Sequence, residues 1–257
     1  MAEQVQHAVR DEQAVASGKR LTLNIHAGEL SFPAILQLPE ASAPVPAALL
    51  LHGFSNRKEV MADSVGRALL RRGVASLAID LPMHGTRGNP FELQSLRNPL
   101  EIVRLWRLAL REAALSVRFL QGRADIDAGR VAIVGYSLGS FLSLMLAASE
   151  PDVGPVVLAA GGDLPAGMPL VQVARAVVDP VRAVQKLGGR PLLMTNGRLD
   201  PIIRPEQAQR LFDAAPEPKE LRWWNGGHSV PEAMIDDTAD WLAARLGAAT
   251  SFQTRGR

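Results

Sequence analysis

Short apolar runs alternate with longer amphipathic stretches along most of this chain. Continuous apolar runs, typical of strands buried on both faces of a sheet, occupy residues 45–52, 74–80, 130–136, 154–160 and 190–196. Apolar periodicity predicts helices at residues 59–72, 99–121, 138–149, 170–187, 205–215 and 231–246. Pro180 is expected to interrupt the fourth of these helices. A strand–helix alternation of this kind predicts an α/β fold with a mostly parallel sheet and helices on both faces.

Three further strands complete the predicted sheet. Residues 20–25 and 31–38 are predicted to form an antiparallel pair, and residues 220–224 a last strand. The prediction is therefore a twisted sheet of eight strands. Residues 1–250 are expected to form a single domain, and residues 251–257, which lack apolar periodicity, a disordered tail. The loop at 86–98 and the insert at 161–189, which includes the predicted helix at 170–187, are both short. A minimal cap domain or none is therefore expected.

Residues whose side chains could take part in catalysis follow the apolar runs. Ser137 follows the run at 130–136, Asp200 the run at 190–196, and His228 the last strand. Ligands of open α/β sheets bind at the carboxyl ends of the strands, where a parallel sheet brings such residues together. Ser137 also lies between Gly135 and Gly139, at a strand–helix junction where a plain turn would more often use Asn, Asp or Pro.

Composition excludes several functional classes. The 257 residues include no cysteine, which excludes disulfides, thiolate catalysis and cysteine-based zinc sites. The formal net charge is only +2, and no basic block suggests a nucleic-acid partner. Neither metal-ligand spacing nor a glycine-rich phosphate loop is found. The polar N-terminus and the absence of a long apolar run predict a soluble, cytoplasmic protein with no membrane contact.

The sequence Gly135-Tyr136-Ser137-Leu138-Gly139, with "HGF" upstream and "GGH" downstream, resembles the α/β-hydrolase family. The resemblance covers roughly residues 45–246, and within the superfamily it points to serine esterases and dienelactone-hydrolase-like proteins. It implies that Ser137 is the nucleophile, His228 the general base and Asp200 the acid that orients the histidine. The implied oxyanion hole consists of the backbone amides of Phe54 and Leu138.

The resemblance implies a hydrolase that needs no cofactor or metal. Its partner would be a small-molecule carboxylic ester of short to medium acyl length, cleaved through an acyl-enzyme. A thioesterase, a small peptidase and a non-catalytic binding protein on the same scaffold are the alternatives. The sequence predicts neither the exact acyl and alcohol groups nor the oligomeric state.

Several residues compete for the assigned roles. Asp163, after the run at 154–160, is an alternative to Asp200 as the acid. His52 and His84 are alternatives to His228 as the base, although we interpret both as residues that order their loops. Ser137 could also be an ordinary turn residue. The arginines of the 86–98 loop and the following helix, such as Arg87, are interpreted as a solvated surface rather than an anion site.

Overall fold

The computed structural model of the protein describes residues 4–95, 98–164, 175 and 177–248. The strands in these ranges are β1 Gln6–Val15, β2 Gly18–Ala27, β3 Leu30–Pro39, β4 Val45–Leu51, β5 Ala75–Ile79, β6 Ile126–Tyr136, β7 Val156–Ala159, β8 Leu192–Gly197 and β9 Lys219–Trp224. They form one sheet in the order β1-β2-β3-β5-β4-β6-β7-β8-β9. The pairs from β5 through β4 to β9 are parallel, and those from β1 to β5 are antiparallel. The predicted mostly parallel sheet is confirmed.

The sheet has one strand more than the eight predicted. The additional strand, β1, pairs with β2 along its length, but nine of its ten residues are exposed. No alternation of apolar and polar residues marks a strand whose faces both meet solvent. Its partner β2 does alternate between buried and half-buried positions, which explains why β2 could be predicted and β1 could not.

Helices cover both faces of this sheet. Within the described residues they are α1 Lys58–Met61, α2 Arg67–Leu70, α3 Pro99–Gln121, α4 Leu138–Ser149, α5 Pro180–Val184, α6 Pro205–Ala214 and α7 Glu232–Arg245. Side chains from α3, α4, α5 and α6 pack on one face, and those from α1, α2 and α7 on the other. Strand β4 contributes to both layers, because Leu49 lies in the first and Leu50 in the second.

Two predicted helices differ in detail. A π-helical segment, Ala62–Gly66, separates α1 from α2 within the helix predicted at 59–72. In the helix predicted at 170–187, residues 170–174 and 176 lie outside the described residues, and Pro180 starts α5 at its first turn. Proline is favoured there because the first amides of a helix have no intrahelical acceptor.

The domain and cap predictions stay predictions. Residues 249–257 and 165–174 lie outside the described ranges. The 86–98 loop contains two short 3-10 turns, Gly85–Arg87 and Pro90–Ser95. No helix in the described part of the chain is long and apolar enough to cross a membrane.

Candidate active site

Ser137 lies on a tight turn between β6 and α4. Its backbone has φ 51° and ψ −110°, a conformation that non-glycine residues rarely adopt and that often occurs at functional sites. The two flanking glycines allow this turn. A Cβ atom at Gly135 would lie 2.2 Å from the carbonyl oxygen of Gly139, and one at Gly139 would lie 2.0 Å from that of Leu51. The spacing of the two glycines therefore follows from close packing of the helix start against the strands.

Ser137, His228 and Asp200 form a continuous chain of hydrogen bonds. The distance from His228 Nε2 to Ser137 Oγ is 2.9 Å, and that from His228 Nδ1 to Asp200 Oδ2 is 2.8 Å. An ionised carboxylate can only accept, so Nδ1 must carry the proton and Nε2 is left to accept from the serine hydroxyl. The three residues thus have the geometry that proton removal from a serine requires.

The Asp200 carboxylate is held rigidly. Its residue is 3% exposed, and its second oxygen, Oδ1, accepts hydrogen bonds from the amides of Ile202 (2.8 Å) and Ile203 (3.0 Å). These two bonds leave Oδ2 directed at His228. A carboxylate fixed in this way is positioned to stabilise positive charge on the histidine ring.

Asp163, the alternative acid, has other partners. Its Oδ2 accepts from Arg175 Nη2 at 2.8 Å and from Arg210 Nε at 3.5 Å. Its backbone carbonyl accepts from the side chain of Gln207. These contacts tie the chain after β7 to α6. The geometry therefore favours Asp200 for the role of the acid.

The two amides predicted to form an oxyanion hole belong to segments on either side of Ser137. Leu138 is the first residue of α4, where an amide has no acceptor within its own helix. Phe54 follows Gly53, whose backbone is so close to the turn that an added Cβ would lie 3.4 Å from Ser137 Cβ. The assignment of both amides stays a prediction, and this placement is compatible with it.

A comparison with protein families identifies the fold. The model of the Alpha/beta hydrolase family matches residues 48–245. The chain belongs to the α/β hydrolase family.

Several individual proteins and solved structures resemble this α/β hydrolase. An uncharacterised protein of Mycobacterium tuberculosis is 27% identical over 198 residues, which cover 74% of this chain and 65% of that protein. A cold-adapted esterase from an Arctic intertidal metagenomic library, solved with bound PEG, has 22% identity and a TM-score of 0.73, covering 96% of this chain and all of its own. Acetyl xylan esterase 1 from Thermoanaerobacterium sp. JW/SL YS485 has 17% identity and a TM-score of 0.75. The match covers 95% of this chain and 88% of the esterase. At these identities the structural likeness shows the fold.

His52 braces the loop that carries Phe54 in this hydrolase. It is fully buried, its Nδ1 lies 2.8 Å from the Gly53 carbonyl oxygen, and its Nε2 accepts from the Leu81 amide at 3.1 Å. Because Nε2 accepts, Nδ1 carries the proton and donates to Gly53. Both ring nitrogens thus bond to backbone groups, so His52 has no nitrogen available for Ser137.

His84 packs beside it. The His84 residue is buried, its Nδ1 lies 2.7 Å from the Pro82 carbonyl oxygen, and its ring centroid is 4.9 Å from that of His52. The same ring also contacts Phe54 edge-on, with centroids 5.8 Å apart. The two histidines therefore connect the loop after β4 with the loop after β5.

The burial of His52 predicts a pH-dependent stability. Burial lowers the pKa of His52 from its ordinary 6.5 to about 4, so the unfolded chain binds more protons than the folded one between these values. The stability from neutral His52 is complete above pH 6.5 and is lost as the pH falls towards 4. Between pH 7 and 4.5 this histidine should lower the free energy of unfolding by about 2 kcal/mol.

The measurement is urea unfolding at a series of pH values for the unmodified protein and for His52→Asn. Asparagine keeps a donor near the Gly53 carbonyl but does not titrate. Groups remote from His52 titrate equally in both proteins, so their contribution cancels and the difference between the two pH profiles reports on His52. Parallel profiles over pH 7 to 4.5 would show that His52 does not couple protonation to unfolding.

Buried ion pairs support the loop after β5. Asp80 is fully buried and accepts from the backbone amide and the ammonium group of Lys58 at 2.9 and 2.8 Å. Arg87 donates through both of its terminal nitrogens to Glu112, at 2.6 and 2.7 Å. Burial raises the pKa of Glu112, while Arg87 opposes that rise. The interpretation of Arg87 as part of a solvated surface is wrong, because its guanidinium pairs with a buried carboxylate on α3.

Proposed function

We propose that this α/β hydrolase cleaves carboxylic esters, with Ser137 as nucleophile, His228 as general base and Asp200 as the orienting acid. The observation that carries the proposal is the hydrogen-bonded chain from Asp200 through His228 to Ser137. A serine hydroxyl is a weak nucleophile without a base to accept its proton. The hydrogen bonds of His228 to Ser137 and to Asp200 support these roles.

The proposed reaction has two halves. His228 Nε2 takes the proton of Ser137 Oγ while that oxygen bonds to the ester carbonyl carbon. The resulting tetrahedral intermediate collapses, the bond to the alcohol oxygen breaks, and protonated His228 gives its proton to the leaving alcohol. Water, activated by His228 in the same way, then releases the acid and restores Ser137.

Electrostatics would lower the barrier of both halves. Negative charge develops on the carbonyl oxygen, and the amides of Leu138 and Phe54 are the proposed donors to it. The N-terminus of α4 adds a partial positive charge at the same place. Asp200, fixed by two amides, would stabilise the positive charge on His228.

The proposed substrates are esters of short to medium acyl length. The two solved structures compared above are both named as esterases, which supports an ester over a thioester or a peptide bond. The loop at 86–98 is short for a lipase-type lid, which favours soluble esters over long-chain triglyceride.

A panel of substrates tests the proposal. We expect kcat/KM on 4-nitrophenyl esters to exceed that on matched acyl thioesters and peptide anilides, and to peak at short to medium acyl chains. No sharp activation should follow the addition of an emulsified interface. Faster cleavage of the thioesters or anilides would reassign the bond, and a preference for emulsified triglyceride would reassign the substrate class.

A further inference from the structure

A cavity of about 300 Å³ lies on the face of the sheet that α1, α2 and α7 cover. Its walls include Val60, Met61 and Val65 from the first helical region, Ile235 from α7, and Val134 and Tyr136 from β6. Its volume is at the lower end of the range for small-molecule sites. The cavity therefore has room for one compact group.

Three wall residues of the cavity lie next to segments of the candidate active site. Tyr136 directly precedes Ser137, and Ser229, another wall residue, directly follows His228. Asn56, also in the wall, donates its amide to the Gly53 carbonyl at 3.0 Å and so belongs to the turn that contains Phe54. The segments that carry Ser137, His228 and Phe54 thus each have a neighbour in the wall.

The lining selects an uncharged, apolar occupant. Among the described residues that line the cavity, no Asp, Glu, Lys, Arg or His side chain is found. A charged group placed there would lose its hydration without gaining a partner, which is costly. The Ser64 hydroxyl donates to the Val60 carbonyl of its own helix, so it has already found an acceptor. Asn56, Ser229 and Thr238 add uncharged polar groups to a lining that is otherwise mostly apolar, so a predominantly apolar group is the chemistry that this surface favours.

The helix irregularity lies at this cavity. Ser64 and Val65 belong to the π-helical segment Ala62–Gly66, and both line the cavity. Such segments add one residue to a helical turn and occur frequently at functional sites. The π-helical segment therefore forms part of the wall that the first helical region contributes to the cavity.

Tyr136 forms the partition between the cavity and the site. Its hydroxyl donates to the His228 carbonyl at 3.1 Å, and its ring centroid lies 5.4 Å from that of the His228 ring. On another side the ring touches the position that a Cβ of Gly53 would take, at 2.9 Å. Tyr136 therefore lines the cavity and at the same time contacts the residues around Ser137.

We propose that this cavity receives a compact apolar group of the ester, and that Val60 and Ile235 limit its size. The inference rests on the proposed function. Either the acyl chain or the alcohol could supply the group, since both carry the same apolar chemistry. Two substrate series distinguish them, one with the acyl chain varied on a constant alcohol and one with the alcohol varied on a constant acetyl group.

The variants Val60→Phe and Ile235→Phe test the proposal by filling the cavity. Val60 is 42% exposed, so the added ring should not disturb the core. Val9, which is 46% exposed and lies on β1, gives the matched control Val9→Phe. In the unmodified protein each methylene that enters an apolar cavity should raise kcat/KM about four-fold until the cavity is full.

Filling the cavity with a phenyl ring should remove this rise in kcat/KM for the longer groups only. We expect both cavity variants to lose at least about ten-fold in kcat/KM on four- to six-carbon groups, by the same methylene increment, and to leave the acetate within two-fold. Loss in the acyl series assigns the cavity to the acid part, and loss in the alcohol series to the alcohol part. Profiles that match the Val9→Phe control, or an equal loss on every ester, would overturn the proposal.

A binding measurement separates this inference from the proposed function. In a Ser137→Ala background, calorimetry with 4-nitrophenyl hexanoate and with hexyl acetate should show binding of at least one of the two esters that Val60→Phe weakens about ten-fold. If the protein cleaves no ester, the proposed function fails and this binding decides the cavity alone. Absence of binding, or binding that Val60→Phe leaves unchanged, would overturn the cavity proposal.

Discussion

Replacing Ser137 by alanine should lower kcat on the best ester by about 10⁴- to 10⁶-fold, the loss commonly found when a member of a catalytic triad is removed. The change removes the only atom that could form the acyl-enzyme bond in the proposed reaction. It leaves His228 and Asp200 in place, 2.8 Å apart. Whatever rate remains would come from water attacking the bound ester directly.

Covalent labelling provides a second readout of the same prediction. A fluorophosphonate probe should modify the unmodified protein at Ser137 and should not modify Ser137→Ala. Ser143 offers a matched control on α4, the helix that follows Ser137, since it is buried and its hydroxyl has no partner among the described residues. Ser143→Ala should keep both labelling and turnover.

Two results would contradict the assignment of the nucleophile. One is labelling that survives in Ser137→Ala, and the other is turnover in that variant within a few fold of the unmodified protein. Either would leave the strained turn at Ser137 without a catalytic role.

Burial explains which parts of the fold could be predicted from the sequence. Strands such as β4, with six of its seven residues buried, are continuous apolar runs in the sequence. Helices such as α3 and α4 begin and end as predicted, at 99–121 and 138–149. Strand β1 is held by its backbone pairing with β2 and contributes almost no buried side chain, so no pattern indicates it.

The order of strands and helices along the chain predicts where the candidate site residues lie. It does not predict which side chains pair with one another. The positions of Ser137, Asp200 and His228 after their strands follow from the strand–helix alternation. The choice between Asp163 and Asp200 does not, because it depends on which side chain reaches the histidine. Arg175 and Arg210 engage Asp163, and both come from segments whose packing the sequence does not reveal. The pairing of Arg87 with Glu112 was missed for the same reason.

The second large effect expected is from Asp200→Asn, which should lower kcat by roughly 10²- to 10⁴-fold. The carbonyl oxygen of the introduced asparagine can keep the bonds from the amides of Ile202 and Ile203, which in the unmodified protein go to Asp200 Oδ1. The NH2 group of its side chain then takes the place of Oδ2 and donates to His228 Nδ1. The proton moves to His228 Nε2, the atom that must accept from Ser137, and the base is held in the wrong tautomer.

Asp163→Asn is the matched control, because Asp163 is as buried as Asp200, with 4% against 3% exposed. Its carboxylate pairs with Arg175 and Arg210, so this change should reduce stability more than turnover. Steady-state kinetics and urea unfolding of both variants check the prediction together. If Asp163→Asn lost about 10²-fold or more in kcat and Asp200→Asn did not, the acid would follow β7 rather than β8. Since the hydrogen bonds of Asp200 lead to His228 and those of Asp163 lead to arginines, we expect the larger loss at Asp200.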